Sequence, residues 1–243
     1  MNKTANYKFT IVIPVYNEED NMAMIETKLK AYLSHSSAKA CVLFVNDGSK
    51  DSSLAKIKDI CHNNPHFYYI SFKQNCGLSA AIKAGIDYTE SPLVGYIDAD
   101  LQTDPEDFEQ LLQHTDQYPL VIGIRANRKD TWWKRRQSKI ANSFRRMMTG
   151  DTAVDTGCPL KIIHTDVAKK IPFFKGLHRF IPALVQLQGL QYKQIPVSHR
   201  QRVAGVSKFS MRNRFWGPLA DCFAFRWMRT RYINYIVEQN DIL

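Results

Sequence analysis

Apolar residues fall into short continuous runs through the first half of the chain. Each run ends in a polar turn and is followed by apolar residues at helical spacing. Phe9 to Val15 is the first run, closed by Pro14 and Asn17, and predicts a buried strand. From Glu18 to Leu33 the apolar positions Met22, Ile25, Leu29, Tyr32 and Leu33 predict a helix. The alternation repeats. Cys41 to Val45 reads as a strand, with a helix through Leu54, Ile57 and Ile60 capped by Asp51; Phe67 to Phe72 reads as a strand, with a helix from Leu78 to Tyr88. Leu93 to Asp98 is a fourth strand, and Asp104, Pro105 and Glu106 open a helix with proline and acids in its first turn. Pro119 to Ile124 is a fifth strand.

The second half is less regular. Trp132 to Met148 predicts a basic amphipathic helix, Arg179 to Leu190 another helix, and Gln191 to Val197 a strand before the loop HRQRVAGVSKFS. Strand–helix alternation with short links predicts an α/β fold whose mainly parallel sheet is covered by helices on both faces. A length of 243 residues and no linker rich in Pro, Gly or Ser suit a single domain. Residues 1–214 are expected to form it, and 215–243 an aromatic and basic tail.

In such sheets ligands bind beyond the carboxyl ends of the strands. Three polar motifs fall there: PVYNEE after the first strand, VNDGS after the second and DADLQ after the fourth. Their convergence is stronger evidence for a site than any one of them.

Charge narrows the picture. The net charge is +10, and the excess is concentrated in the second half. Between Arg125 and Arg146 nine basic residues face one acid, Asp130; between Arg200 and Arg231 eight face Asp221. That half is expected to meet something anionic: a ligand's phosphates, acidic headgroups or nucleic acid. No helix-turn-helix, RNA-recognition or zinc signature supports nucleic acid. The five cysteines show no CxxC spacing, and Cys41 and Cys76, in or beside apolar runs, are expected to be buried or partly buried thiols rather than ligands. An odd count and an N-terminus without an apolar signal core suit a reducing cytosol. No run approaches a membrane span, so membrane contact is expected to be peripheral.

Asp98 and Asp100 stand two apart at a strand end, which puts their side chains on one side. Paired carboxylates of this kind can hold Mg²⁺ or Mn²⁺ shared with substrate phosphates. Gln102 is placed to add a carbonyl oxygen or to orient a metal-bound water. Asp104 and Asp107 suit helix capping and are left out of the site. Asp47 can accept from a base N–H or serve as a turn residue beside Gly48. Pro14, Tyr16 and Glu18 lie where backbone and ring can grip a base or ribose, though Glu18 is equally a first-turn acid. NCGLSAAIKAG is no phosphate-binding glycine loop.

IVIPVYNEE, FVNDGSKDSS, NCGLSAAIKAGI and DADLQTDPED, in this order and spacing, resemble the family 2 glycosyltransferases of GT-A fold. With GLHRFIPAL and IPVSHRQRVAGVSKF they resemble, more narrowly, the polyprenyl-phosphate glycosyltransferases, such as dolichol-phosphate mannose synthase and the bacterial undecaprenyl-phosphate sugar transferases. The resemblance runs from Phe9 to Ser210. It implies that Pro14, Tyr16, Glu18 and Asp47 hold a nucleotide-sugar, with Asp98 also at the donor, and that Asp98, Asp100 and Gln102 bind Mg²⁺ or Mn²⁺. It implies that Arg125, a base of the KRRQS segment (Lys134, Arg135 or Arg136, with Arg135 carried forward), Ser138 and Arg202 meet a lipid phosphate, assisted by Arg200 and Lys208. Asp98, Asp100, Arg125 and Arg202 are the expected catalytic set. Many bacterial members of the subgroup end in two membrane helices; here Phe215 to Leu243 is too polar to span. It reads either as an amphipathic anchor lying on the bilayer or as a terminal helix packed on the core.

The expected reaction is an inverting, metal-dependent transfer from a UDP- or GDP-sugar to a polyprenyl phosphate at the cytoplasmic membrane face. A second copy of the chain or a membrane protein is a further candidate partner. A phosphate acceptor needs no base, since its second pKa is about 6. A hydroxyl acceptor, the reading of a soluble glycosyltransferase acting on a saccharide or protein, needs one. His178 and Asp155 are the candidates for that. A sugar-nucleotide nucleotidyltransferase would need a glycine-rich triphosphate loop that PVYNEE does not provide.

Overall fold

Among the described residues, seven strands make one sheet in the order β3-β2-β1-β4-β6-β5-β7. They are β1 (Phe9–Val15), β2 (Ala40–Asn46), β3 (Phe67–Ser71), β4 (Leu93–Tyr96), β5 (Leu120–Arg125), β6 (Lys161–His164) and β7 (Tyr192–Val197). The structure is a computed structural model; it describes residues 2–100, 102–125, 132–198, 216–234 and 238–239, excepting the side chains of 132–135, 137–140 and 216. All strand pairs are parallel except those of β6, which runs antiparallel between β4 and β5. The sheet is therefore mainly parallel, as the alternation of runs predicts.

The helices are α1 (Met22–His35), α2 (Ser53–Asn63), α3 (Leu78–Asp87), α4 (Phe108–Leu112), α5 (Trp132–Thr149), α6 (Thr165–Lys169), α7 (Ile181–Leu187) and α8 (Trp216–Arg231). They cover both faces because the strands bury both sets of side chains. Phe9, Ile11, Ile13 and Val15 of β1 pack with Met22, Ile25 and Leu29 of α1 and Ile57 of α2. Val12, Leu43 and Val45 face the other way, onto Ala81, Ile82 and Ile86 of α3, with Ala183 and Leu184 of α7 beyond. Helix α3 lies close to β1: a Cβ on Gly85 would come within 2.3 Å of the Val12 side chain.

Several boundaries differ from the sequence expectation. The first helix opens with a 3₁₀ turn, Glu19–Asn21, and the fourth with another, Pro105–Asp107. The predicted helix from Arg179 is split into a 3₁₀ turn at Leu177–Arg179 and α7, which starts with proline in its first turn. Strand β4 stops at Tyr96, so Asp98 lies beyond the ladder rather than in it. Cys41 is buried as expected, but Cys76 is exposed, because it sits in the turn before α3 and not in β3. Asp104 accepts the Glu106 N–H as a cap. Asp107 instead accepts from the backbone N–H and the hydroxyl of Ser198, at 2.8 and 3.2 Å, and fastens the end of β7.

Helix α8 packs against the body of the domain. Cys222 and Phe225 are buried, and Phe180 stacks on Phe225 with ring centroids 5.8 Å apart. Among the described residues no helix is long and apolar enough to cross a membrane.

Candidate functional site

The chain runs outward through β1, β2 and β3 and then returns to β4 on the far side of β1. This reversal makes the carboxyl ends of β1 and β4 a switch point of the topology, the place where open α/β sheets bind ligands. The loops after β1, β2 and β4 border it.

The first two loops are laced together. Asn17, with φ 51°, donates its N–H to the Ser49 hydroxyl, and its side-chain oxygen accepts from the Lys50 N–H at 2.8 Å. The Glu18 N–H donates to the Ser53 hydroxyl, and the Glu18 carboxylate accepts from the Asn21 amide at 2.7 Å. Pro14, Tyr16 and Glu18 are all half-buried at this edge.

Asp47 is buried, and its carboxylate serves the protein. It accepts the N–H of Cys76 at 2.6 Å, the N–H of Gly77 at 2.9 Å and the Asn75 amide at 2.8 Å. Its neighbour Gly48 has φ +65°, and a Cβ there would stand 2.3 Å from the Gln74 carbonyl carbon. Asp47 thus latches the turn before α3 onto the end of β2, the structural role the sequence left open.

Asp98 and Asp100 follow β4, and Asp100 is 9% exposed. Asp100 accepts the Gln102 N–H at 3.2 Å. Tyr96 donates its phenol proton to Asp98. Burial pushes the Asp98 carboxyl up to about 6, and the Asp100 charge adds to this, against the Tyr96 hydrogen bond and the Lys161 and Arg125 cations. A divalent cation between the two carboxylates would relieve both effects. Among the described residues no cluster of three or more His, Cys, Asp or Glu side chains is gathered. Two carboxylates plus oxygens from phosphate and water is the donor set that suits Mg²⁺ or Mn²⁺, so the residues fit such an ion.

Arg125 ends β5 and grips Asp155. Its Nε and Nη2 each donate to a carboxylate oxygen at 2.8 Å, and its backbone N–H donates to the same group at 3.2 Å. Burial works against the guanidinium charge, but the Asp155 bonds and field outweigh it and raise its pKa further. Arg125, expected at a lipid phosphate, is half-buried here and paired with Asp155. Arg135 and Ser138 lie on α5, but their side chains are outside the described residues; Arg200, Arg202 and Lys208 lie outside them altogether.

The structure adds residues that the motifs did not mark. Lys161 opens β6 opposite Tyr96 in the antiparallel register and is 3% exposed. Its ammonium donates to the Cys158 carbonyl and lies 5.9 Å from the Tyr96 ring centroid. Burial lowers its pKa, opposed by the charges of Cys158, Asp155 and Asp98. The signal in sequence was a lone lysine inside the apolar run PLKII. His178 is half-buried, with its Nδ1 3.4 Å from the Ser79 hydroxyl. Burial, with Arg179 and Lys161 nearby, drops its pKa to about 3. A concavity of about 810 Å³ along the β3 edge contains none of the residues singled out from the sequence.

Solved structures share this architecture. Glucosyl-3-phosphoglycerate synthase from Mycobacterium tuberculosis matches 93% of this chain and 81% of its own at 14% identity, with a TM-score of 0.68. The mannosyltransferase PcManGT from Pyrobaculum calidifontis, solved with GDP-Man and Mn²⁺, matches 90% of this chain and 63% of its own at 15% identity, TM-score 0.65. These likenesses establish the GT-A fold that the sequence resemblance implied. By sequence, the undecaprenyl-phosphate 4-deoxy-4-formamido-L-arabinose transferase of Enterobacter sp. (strain 638) is 31% identical over 85% of this chain. That of Sodalis glossinidius (strain morsitans) is 32% identical over 84%. The chain spans 64% and 63% of the lengths of these two relatives. Residues 10–172, which include β1 to β6 and the three converging loops, match the family described as Glycosyl transferase family 2. The chain belongs to the family 2 glycosyltransferases.

Proposed function

We propose that this protein transfers a sugar from a UDP- or GDP-sugar to a polyprenyl phosphate, with inversion, at the cytoplasmic face of a membrane. The observation that carries the reading is the pairing of Asp98 with Asp100 beyond β4, beside the interlaced loops of β1 and β2. The names of the curated relatives favour an undecaprenyl-phosphate acceptor. The Mn²⁺ and GDP-Man held by PcManGT favour a cation and a nucleotide-sugar.

On this reading Pro14, Tyr16 and Glu18 grip the nucleotide, and Asp47 keeps the turn before α3 in place beneath it. Asp98 and Asp100, with Gln102 beside them, would hold Mg²⁺ or Mn²⁺, which would supply positive charge against the departing diphosphate. An oxygen of the acceptor phosphate bonds to the anomeric carbon as the bond from that carbon to the diphosphate breaks. The electron pair leaves with the nucleoside diphosphate, and no proton passes to the protein. Arg125, Arg135, Ser138, Arg200, Arg202 and Lys208 position the acceptor phosphate, arginine forks matching its oxygens.

A hydroxyl acceptor is less well supported. The pKa of His178 is pushed down to about 3, and Asp155 is held by two guanidinium bonds, so neither is poised as a base near neutral pH. The test is a screen of UDP- and GDP-sugars against undecaprenyl phosphate with Mg²⁺ or Mn²⁺. A lipid-linked sugar of inverted configuration is the expected product. Transfer to free saccharides alone, or a product of retained configuration, would overturn the reading.

A further inference from the structure

Helix α8 carries apolar residues on two faces, and only one is packed. Cys222 and Phe225 point into the core, whereas Phe223 and Trp227 are 58% and 65% exposed. With Ala220, also exposed, these residues recur at i, i+3 and i+7 and so form one outward stripe. The stripe continues onto α5. The rings of Phe144 and Phe223 meet with centroids 6.3 Å apart, and Met147, one turn beyond Phe144, is 65% exposed. Ile233, just past α8, is 82% exposed. Among the described residues seven large hydrophobic side chains are exposed, and four of them, Met147, Phe223, Trp227 and Ile233, lie on or just past these two helices.

The borders of the patch are cationic. Arg146 on α5 and Arg226 and Arg231 on α8 are exposed. The two helices carry one acid between them, Asp221, which sits against Gly176 on the inward side. Exposed aromatic rings ringed by arginines, with acids turned away, fit a surface that is apolar inside and anionic at its edge.

We propose that the joint outer face of α5 and α8 docks on an anionic lipid bilayer, with Phe223 and Trp227 inserted among the acyl chains and the arginines on the headgroups. The packed inner face makes α8 a fixed keel of the domain, so docking sets the domain's orientation on the membrane. The inference rests on exposure and charge, and stands apart from the identity of the sugar acceptor.

The test is co-sedimentation of the full chain with vesicles of phosphatidylglycerol and phosphatidylcholine, and with phosphatidylcholine alone. The protein is expected to bind the anionic vesicles and to release from them as salt is raised. Phe223→Ser with Trp227→Ser should weaken binding by about tenfold or more. The control, Tyr69→Ser with Tyr88→Ser, replaces two exposed aromatics elsewhere and should bind like the parent. Circular dichroism and the thermal midpoint verify that both variants fold. Should the α8 variant misfold, Phe223→Leu with Trp227→Leu, with Arg226→Gln and Arg231→Gln in a second variant, separates apolar from charge contributions. Undiminished binding by the folded α8 variant, or no vesicle binding by the parent, overturns the proposal. So does a parent dimer that the α8 variant converts to monomer without any lipid binding, since a second copy would then cover the face. Sugar transfer to a short, water-soluble polyprenyl phosphate should be unchanged in the α8 variant; its absence in the parent would count against the proposed function alone.

Discussion

Tyr96 holds Asp98 by a phenol hydrogen bond across a two-residue step at the end of β4. The buried Lys161, partner of Tyr96 in the antiparallel register, has its ammonium over the tyrosine ring, 5.9 Å from the centroid. The three residues form a short relay of lysine, ring and carboxylate that fixes one member of the pair proposed to bind the cation. Groups that orient a metal ligand are typically worth about 10–100-fold in affinity. Tyr96→Phe keeps the ring and removes the donor. It should weaken Mn²⁺ binding in the presence of a nucleoside diphosphate by about tenfold, measured by titration calorimetry, with the fold retained. An unchanged dissociation constant would remove Tyr96 from the site.

Asp98 also makes a prediction about stability. Its carboxyl is pushed up to about 6 from an ordinary 3.8, chiefly by burial. Between those values the folded protein holds a proton that the unfolded chain has released, so stability falls as pH rises through the window. A shift of this size corresponds to about 2–3 kcal/mol lost by pH 8. Asp98→Asn has no charge to lose. It should therefore be more stable than the parent in urea at pH 8 and about equal at pH 4. Adding Mn²⁺ should close the gap at pH 8 by stabilising the parent only. A variant less stable than the parent at both pH values would show that the ionised carboxylate is favourable where it sits.

How far the sequence could be read follows from the length and setting of each segment. Strands β1, β2 and β5 are continuous apolar runs because both faces of the sheet are covered, and such runs are plain in sequence. Their carboxyl ends then locate Asp47 and the β1 loop without reference to the rest of the fold. Strand β6 was not legible. It has four residues, begins with Lys161 and runs straight into α6. No local pattern indicates that it inserts antiparallel between β4 and β5, so the placement of Lys161 against Tyr96 was hidden as well. Asp155 and Arg125 are each visible as polar residues, but 30 positions separate them and only the fold makes them a pair. Of the tail's two alternatives, core packing is seen at Cys222 and Phe225 of α8, while Phe223 and Trp227 stay exposed.

The latch at Asp47 predicts a separation between stability and nucleotide selectivity. Its carboxylate accepts two backbone N–H groups and one side-chain amide from the turn before α3. Asp47→Ala leaves those donors unmatched in a buried place, at about 1–3 kcal/mol. Gly48→Ala should cost about as much or more, since its φ of +65° and the adjacent Gln74 backbone leave no room for a Cβ. If latching is the whole role, both variants melt earlier and their preference between UDP and GDP is that of the parent. A changed preference in Asp47→Ala but not in Gly48→Ala would assign the carboxylate to the base instead.

The Arg125–Asp155 pair makes the sharpest distinction between charge and geometry. The guanidinium uses two nitrogens on two carboxylate oxygens, and the side chains are 17% and 7% exposed. Lysine keeps the charge but presents a single point and cannot reproduce the fork. Arg125→Lys should therefore lower stability by about 1–2 kcal/mol, and Arg125→Ala by about 3 kcal/mol or more, because it strands a buried carboxylate. If Arg125 also meets the acceptor phosphate, Arg125→Lys should raise the KM for polyprenyl phosphate while the KM for the nucleotide-sugar stays near the parent value. Asp155→Asn provides the comparison. It releases the guanidinium without removing it, so it should destabilise the fold while leaving the acceptor KM less affected than Arg125→Lys does. Equal effects of both substitutions on the acceptor KM would mean that Arg125 acts through Asp155 and the shape of the rim, with no direct contact to the phosphate.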